Sequence, residues 1–359
     1  MKLQYNSLSL FFIIFCYFIS GISYSNDGKI SAKRIHKTIA IKYTKLNIAK
    51  TYGMKAYYME YGKIDNKYVS FTDATGLLLS FGHNHHIPSG SLVFANINMR
   101  KSKRSQSWLD FLKKNFELDE NNDNTPPTDF QPEIVSLLNA FRWFEINGPL
   151  NHTNLKHFNV EVSSDYNKLY VLSFSPKLGK KDSKHDYTGH IYINPQQNSI
   201  DSVYIINGGW YSNQQRTFID GWLKVYYGWG NDKCWPREIS GGYILDNMEL
   251  FVTIKTISNK PTLIEFNEND KLIPGVVRNP LIKYNKPFWN NTEQICIKKM
   301  QSIEKELNMS ESLEMQFINN DNTIYFSRMN HKGETLPKSN EYRYLYVYNR
   351  LNELYNYIK

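Results

Sequence analysis

The sequence lacks the short motifs that identify many enzymes. It has no GxSxG nucleophile elbow, no Walker loop and no GxGxxG dinucleotide motif. Its carboxylates, Asp73 and Glu145 among them, are scattered singly along the chain, so no acid–base pair can be argued from spacing. We therefore predict no catalytic residue and no cofactor, and we favour a non-enzymatic protein. A catalytic site assembled from distant residues stays open as an alternative.

The chain also has little charge of the kind that binds nucleic acids. It carries 43 Lys and Arg against 34 Asp and Glu, a formal net charge of +9 over 359 residues. That excess is spread thinly, and no run forms a basic arm. A diffuse positive charge without a nucleic-acid motif is typical of a solvated surface. The sequence therefore predicts no nucleic-acid partner.

Long hydrophobic runs are scarce, and the longest lies at the N-terminus. Leu10–Ile19 is about half of the roughly 20 residues that a membrane-spanning helix needs. Ser23 and Ser25 follow it at the spacing of a signal-peptidase site. We predict a signal peptide at 1–25 and a mature chain, 26–359, with no transmembrane segment. The mature protein is expected in the periplasm, at the outer membrane or on the cell surface.

Only three cysteines are present. Cleavage of the signal peptide would leave Cys234 and Cys296 in an oxidising compartment, where disulfides persist. A bond between them is one interpretation, and two buried free thiols are the other. Spacing alone does not decide, because a disulfide depends on the distance in the fold.

The stretch "GHNHH" raises the question of a metal site. His83, His85 and His86 lie within four positions of one another, but no Asp or Glu is near them and no HExxH follows. Zinc sites with short histidine spacing usually add a carboxylate or a third histidine from elsewhere. The pattern favours a polar loop, so we predict no metal and keep these histidines as weak candidates.

Aromatic residues make up 15% of the chain, which favours β-structure. They are dense between residues 210 and 235, where glycines allow close backbone approach. The candidate ligand-binding residues there are Trp210, Tyr211, Trp222, Tyr227 and Trp229. Aromatic side chains beside polar loops can bind sugars, peptides or apolar chains. The alternative is that they fill the concave face of a sheet.

Hydrophobic periodicity predicts the elements. "SAKRIHKTIAIKYTKLNIAKTYG" and "PEIVSLLNAFRWFEI" have helical spacing, with Ser31 as the cap of the first and Gly53 after its end, and a polar stretch at about 119–132 predicts a loop or linker. From residue 155 onward, alternating runs joined by turns such as "SSDYNK" and "NPQQNS" predict consecutive antiparallel strands. The C-terminal residues open with strand alternation and end as a short helix. We predict one α+β domain over 26–359.

Several segments, in order, resemble one family. They are "YYMEY" (Tyr57–Tyr61), "NKYVSFTDATG", "MRKS" (Met99–Ser102), two strand pairs from residue 158, and "PFWNN" (Pro287–Asn291). They resemble the region of unknown function that follows the carboxypeptidase-like regulatory domain in Gram-negative envelope proteins. Met59 stands where that family usually has Arg, and Asp73 where it has Glu. The regulatory domain itself has no counterpart in this chain.

The resemblance implies an envelope protein, and the strand pattern is similar to the half-open barrels of envelope lipoprotein carriers. We expect a strongly curved antiparallel sheet with helices packed on its concave side. The leading hypothesis is a binding module for an apolar ligand or an envelope partner protein. One alternative is a hydrolase of envelope material that uses His185, Asp186 and His190. Another is a structural or assembly subunit of a surface complex.

Overall fold

The structure is a computed structural model. It describes residues 32–47, 51–80, 92–102, 132–166, 169–177, 186–207, 210–212, 217–219, 221–230, 234–265, 276–277, 286–291, 302–303, 305–307, 311–320 and 349–358. The predicted signal peptide lies outside these residues, as does nearly all of the predicted polar loop.

Fourteen strands are present within the described residues. They are β1 Tyr52–Ile64, β2 Lys67–Ser80, β3 Leu92–Lys101, β4 Phe158–Tyr166, β5 Leu169–Pro176, β6 Thr188–Asn194, β7 Ser199–Asn207, β8 Trp210–Ser212, β9 Thr217–Ile219, β10 Gly221–Trp229, β11 Cys234–Leu245, β12 Met248–Thr256, β13 Thr262–Leu263 and β14 Val276–Val277.

Twelve of these strands form one open sheet in the order β14-β3-β2-β1-β12-β11-β10-β7-β6-β5-β4, with β13 paired to β1. All pairs are antiparallel except β14 with β3. The end strands β4 and β14 do not pair with each other, so the sheet is not closed. The predicted antiparallel sheet is confirmed. β8 and β9 form a separate two-stranded ribbon, and β8 lies against the second helix described below.

Bulges and tight turns shape the sheet. The register shifts at several places, including between Gly62 and Lys63 on β1 and between Tyr226 and Tyr227 on β10. Each bulge bends its strand and increases the local twist, which gives the sheet its curvature. Asp65 and Asn66 close the β1–β2 hairpin with positive φ angles of 51° and 64°, as a two-residue type I′ turn requires.

The helices in the described residues include α1 Ala32–Asn47, α2 Pro132–Asn147, α3 Lys286–Asn291, α4 Leu313–Asn320 and α5 at residues 349–357, with a 3₁₀ helix at His152–His157; residues 302–303 and 305–307 are also helical. In α1, Ile39, Ala40 and Tyr43 are buried while Lys33 and Arg34 are exposed, so one face packs on the sheet. No helix in the described ranges is long and apolar enough to cross a membrane.

The main core lies between α1, α2 and one face of the sheet, which we call the inner face. Phe141 and Phe144 of α2 pack there with inward residues of the strands, such as Val225 and Ile239. On the strands far from β1, burial alternates residue by residue, as along β6 and β10. Alternation with period two is the pattern of a sheet with one face on the core.

Among the described residues, helices cover the opposite, outer face near β1–β3. Tyr57 and Phe71 pack there against Trp289 of α3 and Phe317 of α4, and helix α5 lies nearby, with Lys55 over the ring of Tyr355. Strands β1 and β2 are therefore buried on both faces, and β2 has no alternation after its first two residues. The sequence predicted helices on the concave side alone, so this second helical layer is an addition to that prediction.

Candidate functional site

A polar group lies inside the core between the two helices and the sheet. The Tyr43 hydroxyl of α1 donates a hydrogen bond to Glu145 Oε1 of α2 at 2.7 Å. The Tyr227 hydroxyl of β10 lies 3.4 Å from the Tyr43 hydroxyl, and the two rings meet edge to face at 5.5 Å. Cys234, at the start of β11, is buried in the same core. We call Tyr43, Glu145, Tyr227 and Cys234 the interior polar cluster.

Burial controls the protonation of this cluster. It raises the pKa of the Tyr43 and Tyr227 hydroxyls well above the ordinary value, and the nearby Glu145 carboxylate raises both further. Burial also raises the pKa of the Cys234 thiol, with Glu145 adding to it and Lys42 opposing it. All three groups are therefore protonated at neutral pH. A neutral thiol is a poor nucleophile, so the cluster is suited to hydrogen bonding rather than to covalent catalysis.

A few polar contacts at the edges of α1 attach it to the rest of the fold. Lys42 Nζ donates to the carbonyl oxygens of Gln197 and Asn198 in the β6–β7 turn, at 3.2 and 2.7 Å. Its ammonium group also lies 5.2 Å from the ring centre of Trp229. A ring nitrogen of His36 lies 2.7 Å from the Pro149 carbonyl oxygen after α2. Burial lowers the pKa of His36, while this hydrogen bond raises it by a smaller amount.

The structure separates the five predicted ligand-binding aromatics. Tyr227 belongs to the interior polar cluster, and Trp229 packs at the margin of the same core. Trp222 lies on the outer face, with its ring beside those of Tyr204 and Phe251. Trp210 and Tyr211 lie in β8, outside the main sheet. These residues do not form one surface, and their predicted role in binding stays a prediction.

A second polar group lies on the outer face, beneath α3 and α4. The Asp73 carboxylate receives two hydrogen bonds from Arg100, from Nε at 2.7 Å and Nη2 at 2.9 Å. It receives a third from the Tyr57 hydroxyl at 2.6 Å. The guanidinium carbon of Arg100 lies 4.2 Å from the ring centre of Trp289 and 5.3 Å from that of Phe317. The Asp73 side chain is fully buried.

These contacts hold the outer helices on the sheet. Burial raises the pKa of the Asp73 carboxyl, and the Arg100 guanidinium and the Tyr57 hydroxyl both oppose that rise. Since the carboxylate is enclosed and its partners come from the two strands that flank it, β1 and β3, this group is a buried structural connection rather than an open site. Sequence reasoning treated Asp73 as a single scattered carboxylate. No local pattern reveals Arg100, because it reaches Asp73 only through the β2–β3 register.

The residues suggested for a hydrolase do not assemble one among the described residues. His190 Nδ1 lies 3.0 Å from Ser173 Oγ on the adjacent strand, a contact that the sequence did not predict. No carboxylate in the described residues bonds the other nitrogen of this histidine, so the ring lacks the orienting partner that a catalytic triad uses. His185 lies outside the described residues, while Asp186 is exposed.

The remaining candidates fall largely outside the described residues. His83, His85 and His86 lie there, and no group of three potential metal ligands occurs in the part that the structure describes. Cys234 forms no disulfide with any described residue. Cys296 lies outside them, so the predicted bond stays a prediction.

Comparisons with known proteins give distant similarity only. No family model and no curated protein matches the chain. Among solved structures, it is similar to a DUF1329 family protein from Desulfovibrio piger, at 8% identity and a TM-score of 0.26, over 64% of this chain and 95% of that one. A putative outer membrane lipoprotein-sorting protein domain from Vibrio parahaemolyticus has 11% identity and a TM-score of 0.28, over 67% and 97%.

The Pseudomonas aeruginosa MucA/MucB complex also matches, at 7% identity and a TM-score of 0.18, over 66% of this chain and 99% of that one. These scores are low. The fold is therefore established here by the strand order and register of the chain itself, and the function must be argued from its own residues.

Proposed function

We propose that this chain is an exported, non-enzymatic binding protein that holds an amphipathic ligand between helices α1 and α2 and the inner face of the sheet. The interior polar cluster carries the proposal, because it places hydrogen-bonding groups inside an otherwise apolar interface. The apolar part of the ligand would pack against α2 residues such as Phe141 and Phe144. Its polar end would reach Glu145 and the hydroxyls of Tyr43 and Tyr227.

The composition of this interface supports a ligand with a polar end. Leu or Phe at the positions of Tyr43 and Tyr227 could fill the same core without any need for hydrogen bonds. A buried hydroxyl that loses its partner costs about 1–3 kcal/mol, so the two tyrosines impose a constraint that apolar packing does not require. Glu145 is partly exposed and offers a carboxylate acceptor to a hydroxyl or amine group of a ligand.

The way α1 is attached supports entry of the ligand beneath it. Apart from its apolar face, α1 is held by side-chain contacts of His36, Lys42 and Tyr43, together with the Thr44 hydroxyl. A hydrogen bond between neutral groups contributes about 0.5–1.5 kcal/mol net, and one to a charged group, such as those of Lys42 and Glu145, about 1.5–3 kcal/mol. A ligand that buries its own apolar surface, at roughly 25 cal/mol per Å², can compensate for the loss of several such contacts.

The exported location is part of the proposal. It is supported by the predicted signal peptide at 1–25 and by the resemblance to a region of Gram-negative envelope proteins. Both come from the sequence.

Native mass spectrometry tests the proposal. The full chain would be purified from the periplasm of a Gram-negative host, and its native mass compared with its denatured mass. We expect the native protein to carry an extra mass of one lipid or other amphiphile. A double variant, Tyr43→Phe with Glu145→Gln, should lower the occupied fraction. Tyr357→Phe is the matched control, because this tyrosine is 65% exposed on α5.

Two results would overturn the proposal. In one, the wild-type protein carries no extra mass after purification or after incubation with a total lipid extract of the host envelope. In the other, the double variant retains the ligand as well as the wild type and the control do. Circular dichroism of each variant separates loss of binding from loss of fold.

A further inference from the structure

The outer face of β6, β7 and β10 carries two neighbouring rows of polar and aromatic side chains. In the first row, Lys224, Tyr204 and His190 lie directly opposite one another on β10, β7 and β6. In the second row, Tyr226 and Tyr192 flank Ser202 in the same way. We call His190, Tyr192, Tyr204, Lys224 and Tyr226 the outer-face platform. All five are half-buried.

Contacts between the rows make the platform a fixed array. Lys224 Nζ lies 4.8 Å from the ring centre of Tyr226, and a hydrogen bond with that tyrosine raises the pKa of the lysine. The rings of His190 and Tyr192 lie 6.4 Å apart. The strands beneath are hydrogen-bonded neighbours, which are spaced about 4.8 Å apart. The side chains are therefore spaced at regular intervals perpendicular to the strands.

From this arrangement we infer that the outer-face platform binds a linear glycan. Sugar rings present apolar faces, which pack on aromatic rings, and hydroxyl groups, which both donate and accept hydrogen bonds. The tyrosine hydroxyls donate and accept, Lys224 donates, and Glu238, next to Tyr226 across the strands, accepts. This inference is independent of the ligand proposed for the inner face.

Other partner classes fit these residues less well. Nucleic acids and anionic membranes need an excess of cations, but here Lys224 is accompanied by Glu238. The centre of a protein–protein interface is depleted in Lys, Glu and Ser, and all three occur in or beside these rows. An aliphatic chain would leave the polar groups of the platform without partners, which is unfavourable. A glycan satisfies both kinds of group.

Co-sedimentation with insoluble glycans tests the inference. The full mature chain would be mixed with purified murein sacculi, chitin or cellulose in 0.5 M NaCl, which suppresses purely ionic attachment. We expect retention on at least one of the three. Tyr204→Ala should weaken it by about tenfold or more. The milder variants Tyr226→Phe and Lys224→Gln should weaken it too, and they guard against a Tyr204 variant that fails to fold. Tyr357→Ala, on α5, is the matched control.

The inference is overturned if the wild-type chain sediments with none of the three glycans. It is also overturned if folded Tyr204→Ala, Tyr226→Phe and Lys224→Gln proteins sediment as well as the control. Retention on sacculi that disappears after protease treatment of the sacculi would mean that this face binds a protein, and that result likewise refutes a glycan. Occupancy of the inner-face ligand in native mass spectra is a separate measurement, so the two proposals can fail separately.

Discussion

Replacing Arg100 by methionine should destabilise the protein far more than removing a comparable surface charge. Arg100 provides two of the three hydrogen bonds to Asp73, whose side chain is fully buried, and its own side chain is only 16% exposed. Removing one partner of a buried ion pair typically costs about 3–5 kcal/mol, because the remaining charge is left without compensation. Contacts of the guanidinium with Trp289 and Phe317 add to the loss, since a cation–π contact contributes about 0.5–1 kcal/mol at an exposed site and about 2 kcal/mol when desolvated.

Urea unfolding at pH 8 measures this effect as a shift in midpoint at constant slope. The matched control is Lys286→Met. Lys286 pairs with Glu314 at 2.6 Å, but the two side chains are 58% and 41% exposed, and such pairs contribute about 0–1 kcal/mol. A double variant, Asp73→Asn with Arg100→Met, should recover part of the loss, because it leaves no buried charge.

The loss in free energy of unfolding caused by Arg100→Met should also depend on pH. Without the guanidinium, the pKa of the buried Asp73 carboxyl rises further in the folded state, so the folded variant binds a proton that the unfolded chain releases above about pH 4. Its stability relative to wild type therefore falls as pH increases above that value. The reasoning is refuted if Arg100→Met costs no more than Lys286→Met, or if its deficit is larger at pH 4.5 than at pH 8.

Three further outcomes are expected from single groups. Burial lowers the pKa of His36 in the folded state, so the unfolded chain binds a proton before the folded chain does as pH falls below about 6.5. The wild type should therefore lose more thermal stability between pH 8 and pH 5.5 than His36→Gln does. In a mature chain with Cys296→Ser, the Cys234 thiol should react with a thiol reagent only after unfolding, and rapid reaction of the folded protein would contradict its burial. Gly189→Ala should destabilise strongly in urea unfolding, because a Cβ there would fall on the Tyr204 carbonyl oxygen, whereas a neutral result would mean that the irregular pairing between Thr188 and Gly189 adjusts to the methyl group.

Local patterning predicted the elements because each is defined by neighbours in sequence. The buried face of α1, with Ile39 and Tyr43, follows from helical spacing. The strand pair β6–β7 follows from alternation around the "NPQQNS" turn. Even the separation of Trp222 from Tyr227 is present in the sequence, since residues five positions apart on a strand point to opposite faces. The prediction that residues 210–235 form one aromatic group did not take this alternation of faces into account.

The two polar groups could not be found in this way, because each depends on contacts between distant segments. Glu145 meets Tyr43 only after α1 and α2 have packed on the same face. Asp73 meets Arg100 only through the β2–β3 register, and Trp289 covers Arg100 from a helix almost 190 residues further along the chain. A sequence without aligned relatives gives spacing along the chain, but these sites are defined by spacing across the sheet.

The strand register bears on the two positions at which this chain differs from the family that it resembles. The resemblance itself remains a prediction, but Met59 and Asp73, the two positions where this chain differs from it, are directly opposite each other on β1 and β2. An Arg at 59 facing a Glu at 73 would form an ion pair across these strands. Here Met59 cannot, and the shorter Asp73 is paired instead with Arg100 on its other side. A cation introduced at this position, as in Met59→Arg, should destabilise the chain in urea unfolding, because it adds a second cation beside a carboxylate that Arg100 already balances.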